Sequence, residues 1–233
     1  MKQVLLFAAV ISLFTACRRV HGSGNIVTEK KQVKSFKGIS VGSSFEVELK
    51  TGPAISVEIE TDDNLMKLVQ VRVSGDVLRI DIKDNYSIND GHFKAFVTAP
   101  EINSIRSSGA ASVKAMNVLT SSGKIRFDVS GAGKITADVD APEVEAESSG
   151  AGDIELGGRT RDYRAEASGA GNIKTKNLQT ENAVVTASGA GNVHVHASVK
   201  LKAKASGAGN IYYRGGASVD QQVSGAGNVK KED

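Results

Sequence analysis

The chain has 233 residues, a formal net charge of +3, 25 glycines, no tryptophan and only 5% aromatic residues. So small a net charge argues against a strongly electrostatic partner and excludes nucleic acid as the expected ligand. The shortage of bulky aromatic residues argues against a globule with one large core, and the abundance of glycine favours a stacked β-coil.

Residues 1–16 have the pattern of a secretory signal peptide. Lys2 supplies a positive start, residues 4–14 form an apolar run, and Thr15 and Ala16 are small residues of the kind found before a cleavage site. The apolar run is too short to span a bilayer. We therefore predict that this segment directs the chain across the inner membrane and is then removed.

Cys17 is the single cysteine, and it follows Leu-Phe-Thr-Ala, which resembles the lipobox of bacterial lipoproteins. We predict that Cys17 is acylated and that residues 17–24 link the lipid anchor to the folded body. Each buried methylene of an acyl chain contributes about 0.8 kcal/mol to membrane binding. Because Arg18 and Arg19 follow, we expect the outer membrane, facing the periplasm, with the cell surface as an alternative. The other interpretation is an ordinary signal peptide with a chance cysteine.

Residues 25–105 alternate apolar and polar side chains as half-buried strands do. The clearest alternations are Phe45 to Lys50, Ile55 to Glu60 and Leu78 to Ile82. They predict an antiparallel or mixed β-region that leads into the rest of the chain and covers its first coil. The segment Asp62-Asp63-Asn64 before Leu65 to Leu68 predicts a single helical turn or short helix capped by these polar side chains.

Residues 106–233 contain six copies of the motif Ser-Gly-Ala-Gly and a degenerate first copy at Ser108. The six copies begin at Ser130, Ser149, Ser168, Ser188, Ser206 and Ser224. The steps of 18 to 22 residues between copies predict an all-β fold, a parallel β-helix (β-solenoid) in which each step is one coil. Coils of such a stack lie about 4.8 Å apart.

The positions around the motif form columns of similar residues. The first position after each copy is always β-branched: Ile135, Ile154, Ile173, Val193, Ile211 and Val229. This column is predicted to face inward, where like residues stack on one another. The motif glycines are expected at corners that need a positive φ or a close approach of neighbouring coils. The asparagines that end four copies are predicted to form an amide ladder.

Several motifs that resemble catalytic or metal-binding sites lack residues that such sites require. The segment around Lys134 lacks the spacing and the following helix of a phosphate-binding loop, and only Asp153 offers an acid where a calcium β-roll needs one. His194 and His196 have no cysteine or acid cluster to complete a metal site. Asp153 and Glu155 are the nearest pair of carboxylates, without the further groups of a glycosidase site. We therefore predict no catalytic residue, no metal ion and no cofactor.

The Ser-Gly-Ala-Gly-Asn repeats, together with Phe36-Lys-Gly-Ile-Ser-Val and Asp63-Asn-Leu-Met, resemble the head GIN domain family of auto-transporter adhesins. These proteins are found largely as envelope lipoproteins of Gram-negative bacteria. The resemblance covers about residues 25–229. It implies a β-helix-like fold and an adhesive or envelope-binding role, and it carries over no functional residues.

The sequence thus predicts a non-catalytic envelope lipoprotein that binds a glycan or an envelope protein, with adhesion as the specific role. The alternatives are a structural component that self-associates through its flat β-faces and a carbohydrate-active β-helix enzyme. The oligomeric state stays open. Ligand contacts are predicted on one outward strip, whose other interpretation is a solvated face: Asn172, Asn192, Asn210, Asn228, Lys174, His194, Tyr212 and Lys230.

Overall fold

The computed structural model describes residues 18–232, so the predicted signal peptide and Cys17 lie outside the described residues. Almost all regular structure in this range is β-strand, and the helical element is one 3₁₀ turn at Met66–Leu68. No helix within residues 18–232 is long and apolar enough to cross a membrane. The predicted all-β parallel solenoid is confirmed, with about six turns.

The N-terminal part, up to residue 99, contains nine strands. They are β1 (Arg18–His21), β2 (Ile26–Lys30), β3 (Gly38–Val41), β4 (Glu46–Thr51), β5 (Ser56–Asp62), β6 (Val69–Ser74), β7 (Val77–Ile82), β8 (Tyr86–Asn89) and β9 (Phe93–Ala99). The alternation of burial along β9 agrees with the period of two on which the prediction of half-buried strands was based.

The repeat region contributes twelve further strands. They are β10 (Ser104–Ser107), β11 (Ser112–Ala115), β12 (Leu119–Thr120), β13 (Lys124–Val129), β14 (Lys134–Ser148), β15 (Asp153–Ala167), β16 (Ile173–Ala187), β17 (Val193–His196), β18 (Lys200–Ala205), β19 (Ile211–Arg214), β20 (Ser218–Val223) and β21 (Val229–Lys231). Equivalent residues of successive repeats pair in parallel. The β-branched column is in register from Ile135 through Ile154, Ile173, Val193 and Ile211 to Val229.

Two stacks of parallel strands run the length of the solenoid, one on each side of the Ser-Gly-Ala-Gly corner. After the corner, the stack is β9, β4, β11, β14, β15, β16, β17, β19 and β21. Before the corner, it begins with β7, β3, β10 and β13 and ends with β18 and β20. The parallel stacking therefore continues upstream of residue 106, into the region predicted only as mixed β-structure.

Antiparallel strands cover the N-terminal end of both stacks. Strand β5 pairs antiparallel with β9, and β2 pairs antiparallel with β5. Strand β6 pairs antiparallel with β7 through the turn at Ser74 to Val77. Because these strands occupy the edges of β9 and β7, the first coil does not present a parallel edge that another chain could extend.

The core is a continuous column of apolar side chains between the two stacks. Phe45, Leu49, Ile125 and Phe127 are among the largest fully buried side chains. The rings of Phe45 and Phe93 pack with their centroids 5.1 Å apart and their planes tilted by 53°. Large residues thus fill the N-terminal coils, whereas many inward positions of the later coils hold alanine, for example Ala165.

The corner glycines serve close approach of neighbouring coils. Gly109 and Gly225, in the first and last copies, have φ values of 69° and 132°. A β-carbon built on Gly169 or on Gly171 would overlap the carbonyl oxygen of the glycine one coil earlier. Of the two reasons that the sequence offered, the close approach therefore accounts for most of the repeated glycines.

The helical turn is present, but its predicted cap is wrong. The 3₁₀ turn follows Leu65, and no side chain caps it. The Asp62 carboxylate instead accepts hydrogen bonds from the backbone N–H of Gly24 at 2.7 Å and of His92 at 2.9 Å. The sequence predicted that this carboxylate would cap the turn. The backbone N–H groups of Gly24 and His92, which are distant in the sequence, bind it instead.

Candidate binding face

The predicted strip lies on the outer surface of the stack that follows the corner. In each repeat the β-branched residue points inward, so the next residue along the strand points outward. Lys174, His194, Tyr212 and Lys230 are consecutive partners in the parallel register of β16, β17, β19 and β21. We call these four residues the binding face. The structure brings them into one row across four coils, as the repeat alignment predicted.

The four asparagines form the predicted ladder beside this row. The backbone N–H and the side-chain Nδ2 of Asn192 donate to Asn172 Oδ1 at 3.1 and 3.3 Å. The same groups of Asn210 donate to Asn192 Oδ1 at 3.2 and 3.0 Å, and the backbone N–H of Asn228 donates to Asn210 Oδ1 at 3.1 Å. These bonds tie each corner to the next one. The contact of the asparagines with a ligand stays a prediction.

Asp153 starts the ladder in the place of an asparagine. Its Oδ1 accepts from the backbone N–H and the Nδ2 of Asn172 at 3.0 and 3.1 Å, and its Oδ2 accepts from Lys174 Nζ at 2.6 Å. Burial acts to raise the pKa of Asp153, but the hydrogen bonds from Lys174 and Asn172 outweigh it and hold the pKa below its usual value. The Lys174 ammonium is therefore held at the edge of the binding face by a charged carboxylate.

Two aromatic rings occupy the middle of the binding face. The rings of His194 and Tyr212 stack, with centroids 4.8 Å apart and planes inclined by 17°. His194 Nδ1 lies 3.2 Å from Glu232 Oε2. The hydroxyl of Thr175, which is buried beneath the face, donates to the backbone carbonyl of His194 at 2.7 Å. The ring pair is thus fixed from below and from the side, and its polar atoms can offer hydrogen bonds to a ligand.

The carboxylates considered for catalysis do not converge. Asp153 binds Lys174, whereas Glu155 Oε2 lies 2.9 Å from Lys134 Nζ on the preceding coil. The pKa of Glu155 is lowered chiefly by its hydrogen bond with Lys134. In the part of the chain that the structure describes, no three His, Cys, Asp or Glu side chains are grouped to hold a metal ion.

A second outward column lies beside the binding face, and His196 is its one member that the sequence had offered as a candidate, for a metal site. His196 pairs with Arg214 one coil further along, two residues beyond His194 and Tyr212 on the same strands. Lys176, at the same distance from its motif serine, is exposed on the coil before them, and Asn177 next to it is exposed as well. The signal in the sequence was the 20-residue step from Ser168 to Ser188, which is longer than the neighbouring steps.

The segment that follows Cys17 in the sequence is bonded to the folded body. Strand β1 pairs in parallel with β8, from Arg18 opposite Tyr86 to His21 opposite Asn89. The side chain of Asp63 accepts from Ser23 Oγ at 2.6 Å and from Asn25 Nδ2 at 2.8 Å. With the two bonds of Asp62, these contacts form what we call the N-terminal clamp. It holds residues of the predicted linker against the cap of the solenoid.

Replacing Asp62 by asparagine is expected to lower the free energy of unfolding by about 2 kcal/mol, because one of two backbone donors would face an amide –NH₂ in a buried position. The backbone N–H of His92, followed by that of Gly24, lowers the pKa of Asp62. A carboxyl group with a lowered pKa stabilises the folded chain above its unfolded pKa of about 4, and this contribution is lost as the pH falls through the lower folded value.

Urea unfolding measured between neutral pH and pH 3 should therefore show a difference between wild type and Asp62→Asn that shrinks on acidification. Hydrogen exchange should become faster at one of the two residues, Gly24 or His92, namely the one whose backbone N–H then faces the amide –NH₂. Asp84→Asn, at an exposed aspartate, is the control and should change neither measurement. Equal behaviour of the two variants would contradict the clamp.

The fold and the ladder define the class of the protein as a parallel β-solenoid repeat protein with a long polar face. The chain belongs to the family described as "Putative auto-transporter adhesin, head GIN domain", which matches residues 35–217. The family resemblance inferred from the repeats is thereby confirmed. None of the curated proteins compared with the chain matches it.

Solved structures of Bacteroides and Parabacteroides proteins are similar to this chain. The chain is similar to a "putative adhesin" of Bacteroides fragilis, with a TM-score of 0.87 and 24% identity over 91% of this chain and 100% of that one. It is similar to a "putative lipid binding protein" of Parabacteroides distasonis, with a TM-score of 0.77 and 20% identity over 93% and 100%. A "putative adhesin" of the same species gives a TM-score of 0.74 and 24% identity over 92% and 100%. At these identities the likeness shows the fold.

Proposed function

We propose that the chain is a non-catalytic lipoprotein of the cell envelope that adheres to an extended glycan or protein through its binding face. The observation that supports this most directly is the row formed by Lys174, His194, Tyr212 and Lys230 across four coils. Successive members are about 4.8 Å apart and offer ammonium, imidazole and phenol groups in one line. Such a row is suited to a polymer that lies across the coils.

Family membership supports adhesion as the role and an extracellular or envelope location as the place of action. The two carboxylates considered for catalysis, Asp153 and Glu155, support a non-catalytic role, because each is bound to a lysine. In the proposal, acylated Cys17 holds the chain at the outer membrane, facing the periplasm or, alternatively, the outside. The N-terminal clamp supports a short attachment, since the residues after Cys17 are bonded to the body.

The test is the triple variant Lys174→Ser, His194→Ser and Tyr212→Ser. These side chains are outward, so the stack should remain folded, while binding to glycan arrays or to an envelope fraction should fall by about tenfold or more. Lys200, Lys202 and Thr186 lie outward on the other stack, and their replacement by serine is the control. Undiminished binding by the folded triple variant would remove the binding face as the site of adhesion.

A further inference from the structure

A groove lies beside the binding face, where the length of the repeat changes from 20 to 18 residues. Its volume is about 600 Å³, and it is lined by Lys176, Asn177, Gln179, His196, Arg214 and Lys231, among other residues. A second groove of about 430 Å³ continues on the far side of His196 and Gln179, which line both. We call the first of these the basic groove.

A β-bulge in β16 shapes the wall of the basic groove that contains Lys176 and Asn177. Glu155 pairs with Lys174, but Gly157 pairs with Asn177, so β16 contains one more residue than β15 between these two pairs. Lys176 and Asn177 are consequently both exposed, although neighbours on a regular strand point to opposite sides. Thr175 is buried, so simple alternation would direct Lys176 outward and Asn177 inward; the bulge exposes Asn177 as well and thus adds an amide beside the lysine.

A shortened coil shapes the wall that contains His196. The step from Ser168 to Ser188 is 20 residues, and the step from Ser188 to Ser206 is 18. Strand β17 ends at His196. Two residues later the chain is already bonded to the preceding coil, since the backbone N–H of Ser198 donates to the carbonyl of Thr180. The Thr180 hydroxyl donates to the His196 carbonyl at 2.6 Å. Gln179 on the longer coil and His196 at the end of the shorter strand both line the basic groove as a result.

Positive charge is concentrated in this groove although the whole chain is nearly neutral. Lys176, Arg214 and Lys231 contribute three fixed positive charges from three different coils, whereas Glu232 is the one acid among the residues of the lining that lie within 18–232. Glu232 is also engaged by His194, at 3.2 Å. The groove therefore has a positive excess within a concave surface, where charges are screened less than on a flat one.

The lining favours a saccharide over a peptide. The residues that line the basic groove are polar or glycine, so the groove offers no apolar pocket for the aliphatic or aromatic anchors by which most peptides are held. Amide, guanidinium and imidazole groups are suited to hydroxyl and carboxylate oxygens. Arg214 and His196 lie about 7 Å along their strands from Tyr212 and His194, so one chain of sugars could reach the groove and the binding face together.

We propose that the basic groove binds the anionic groups, carboxylate or sulfate, of an acidic polysaccharide whose neighbouring sugars lie along the binding face. This inference rests on the proposed function and narrows it to a chemical class of ligand. Lys176 on β16 and Lys231 on β21 bind the anionic groups, and Asn177 and Gln179 bind hydroxyl groups.

The experiment uses the purified chain and an oligomer of galacturonic acid, with the galactose oligomer of the same length as the neutral probe. The wild type should bind the acidic oligomer more tightly, and increasing salt should weaken this binding. The double variant Lys176→Gln and Lys231→Gln should bind it about tenfold or more weakly, because two charge-assisted contacts are lost.

The matched control is Lys202→Gln with Lys204→Gln. It removes the same net charge from outward positions of β18, on the other stack, and should change the affinity by less than about twofold. An equal loss in both double variants would overturn the proposal, because it would reflect net charge and not this groove. Equal affinity of the wild type for acidic and neutral oligomers would also overturn it.

Two further probes separate this inference from other ligands and from the proposed function. Vesicles containing phosphatidylglycerol and a poly-glutamate peptide should compete poorly with the acidic oligomer, and effective competition by either would overturn the choice of polysaccharide. If the wild type binds an envelope fraction through the binding face but not the acidic oligomer, the inference fails and the proposed function stands. If neither is bound, the proposed function fails as well.

Discussion

The variant Gly169→Val is expected to lose about 3 kcal/mol or more of its free energy of unfolding. A β-carbon at Gly169 would overlap the carbonyl oxygen of Gly150 on the preceding coil. That obstacle is backbone, and it is itself bonded, because the N–H groups of Ala170 and Gly171 donate to the same oxygen at 2.9 and 3.1 Å. The two coils must separate to admit the side chain, and the bonds between them weaken.

Thermal unfolding measures this effect directly. For a chain of this length, a loss of about 3 kcal/mol corresponds to a fall of about 6 to 12 °C in Tm. Because each coil of a solenoid contacts only its neighbours, faster hydrogen exchange should be concentrated in the coils around residue 169. The control is Gly123→Val, since a β-carbon there has no heavy atom within 4 Å. Similar Tm values for the two variants would contradict the close approach of the corners.

The variant Cys17→Ser is expected to incorporate no labelled fatty acid and to leave the membrane fraction. Cys17 is the single thiol of the chain, so no other cysteine can replace it as the acylated residue. Without acyl chains, the membrane affinity that each buried methylene contributes, about 0.8 kcal/mol, is lost entirely. Metabolic labelling with a palmitate analogue, followed by separation of membrane and soluble fractions, gives both measurements.

Thr15→Ser is the control for this variant, because it keeps a small hydroxyl residue before the cysteine. It should be labelled and fractionate as the wild type does. Label in the Cys17→Ser protein would show that Cys17 is not the site of acylation, and an unlabelled wild type would favour the ordinary signal peptide. Either result leaves the binding face and the basic groove open to test, since both lie within the folded body.

The two proposals concern neighbouring columns on the same strands, and this proximity explains why they are tested separately. Tyr212 belongs to the binding face, and Arg214 belongs to the basic groove two residues further along β19. A ligand that bridges both should be weakened by either set of substitutions. The losses need not add, because contacts made by one ligand are coupled.

The strand pairing of the repeat region could be predicted in detail because the Ser-Gly-Ala-Gly motif recurs at regular intervals. Identical spacing placed Ile154, Ile173 and Val193 in one column, and parallel pairing is the arrangement that stacks like residues at equal intervals. The same alignment predicted the ladder from Asn172 to Asn228 and the row of the binding face. Local sequence was sufficient here because each coil is bonded to the coil before it and the coil after it.

The order of the N-terminal coils was decided by the tertiary structure. The strands β3 and β4 pair on one side with β10 and β11, and on the other side with β7 and β9, which follow them in the chain. The coil that is second in the stack, with β3 and β4, therefore comes earlier in the sequence than the coil that is first in the stack, with β7 and β9. Alternating apolar and polar residues specify a strand with one buried face, but they are the same for parallel and antiparallel partners.

The sequence by itself determined the strands, the solenoid and the row of Lys174, His194, Tyr212 and Lys230, because those features depend on period and alternation. The tertiary structure alone decided the clamp around Asp62, whose partners Gly24 and His92 are distant in sequence. It also decided the basic groove, because a one-residue bulge exposes Asn177 in addition to Lys176 and because strand β17 ends early, at His196. The sequence shows that the repeat is interrupted, because one step is a residue longer. It does not show which side chains turn outward, because that depends on how the backbone of the bulge pairs with the neighbouring coils.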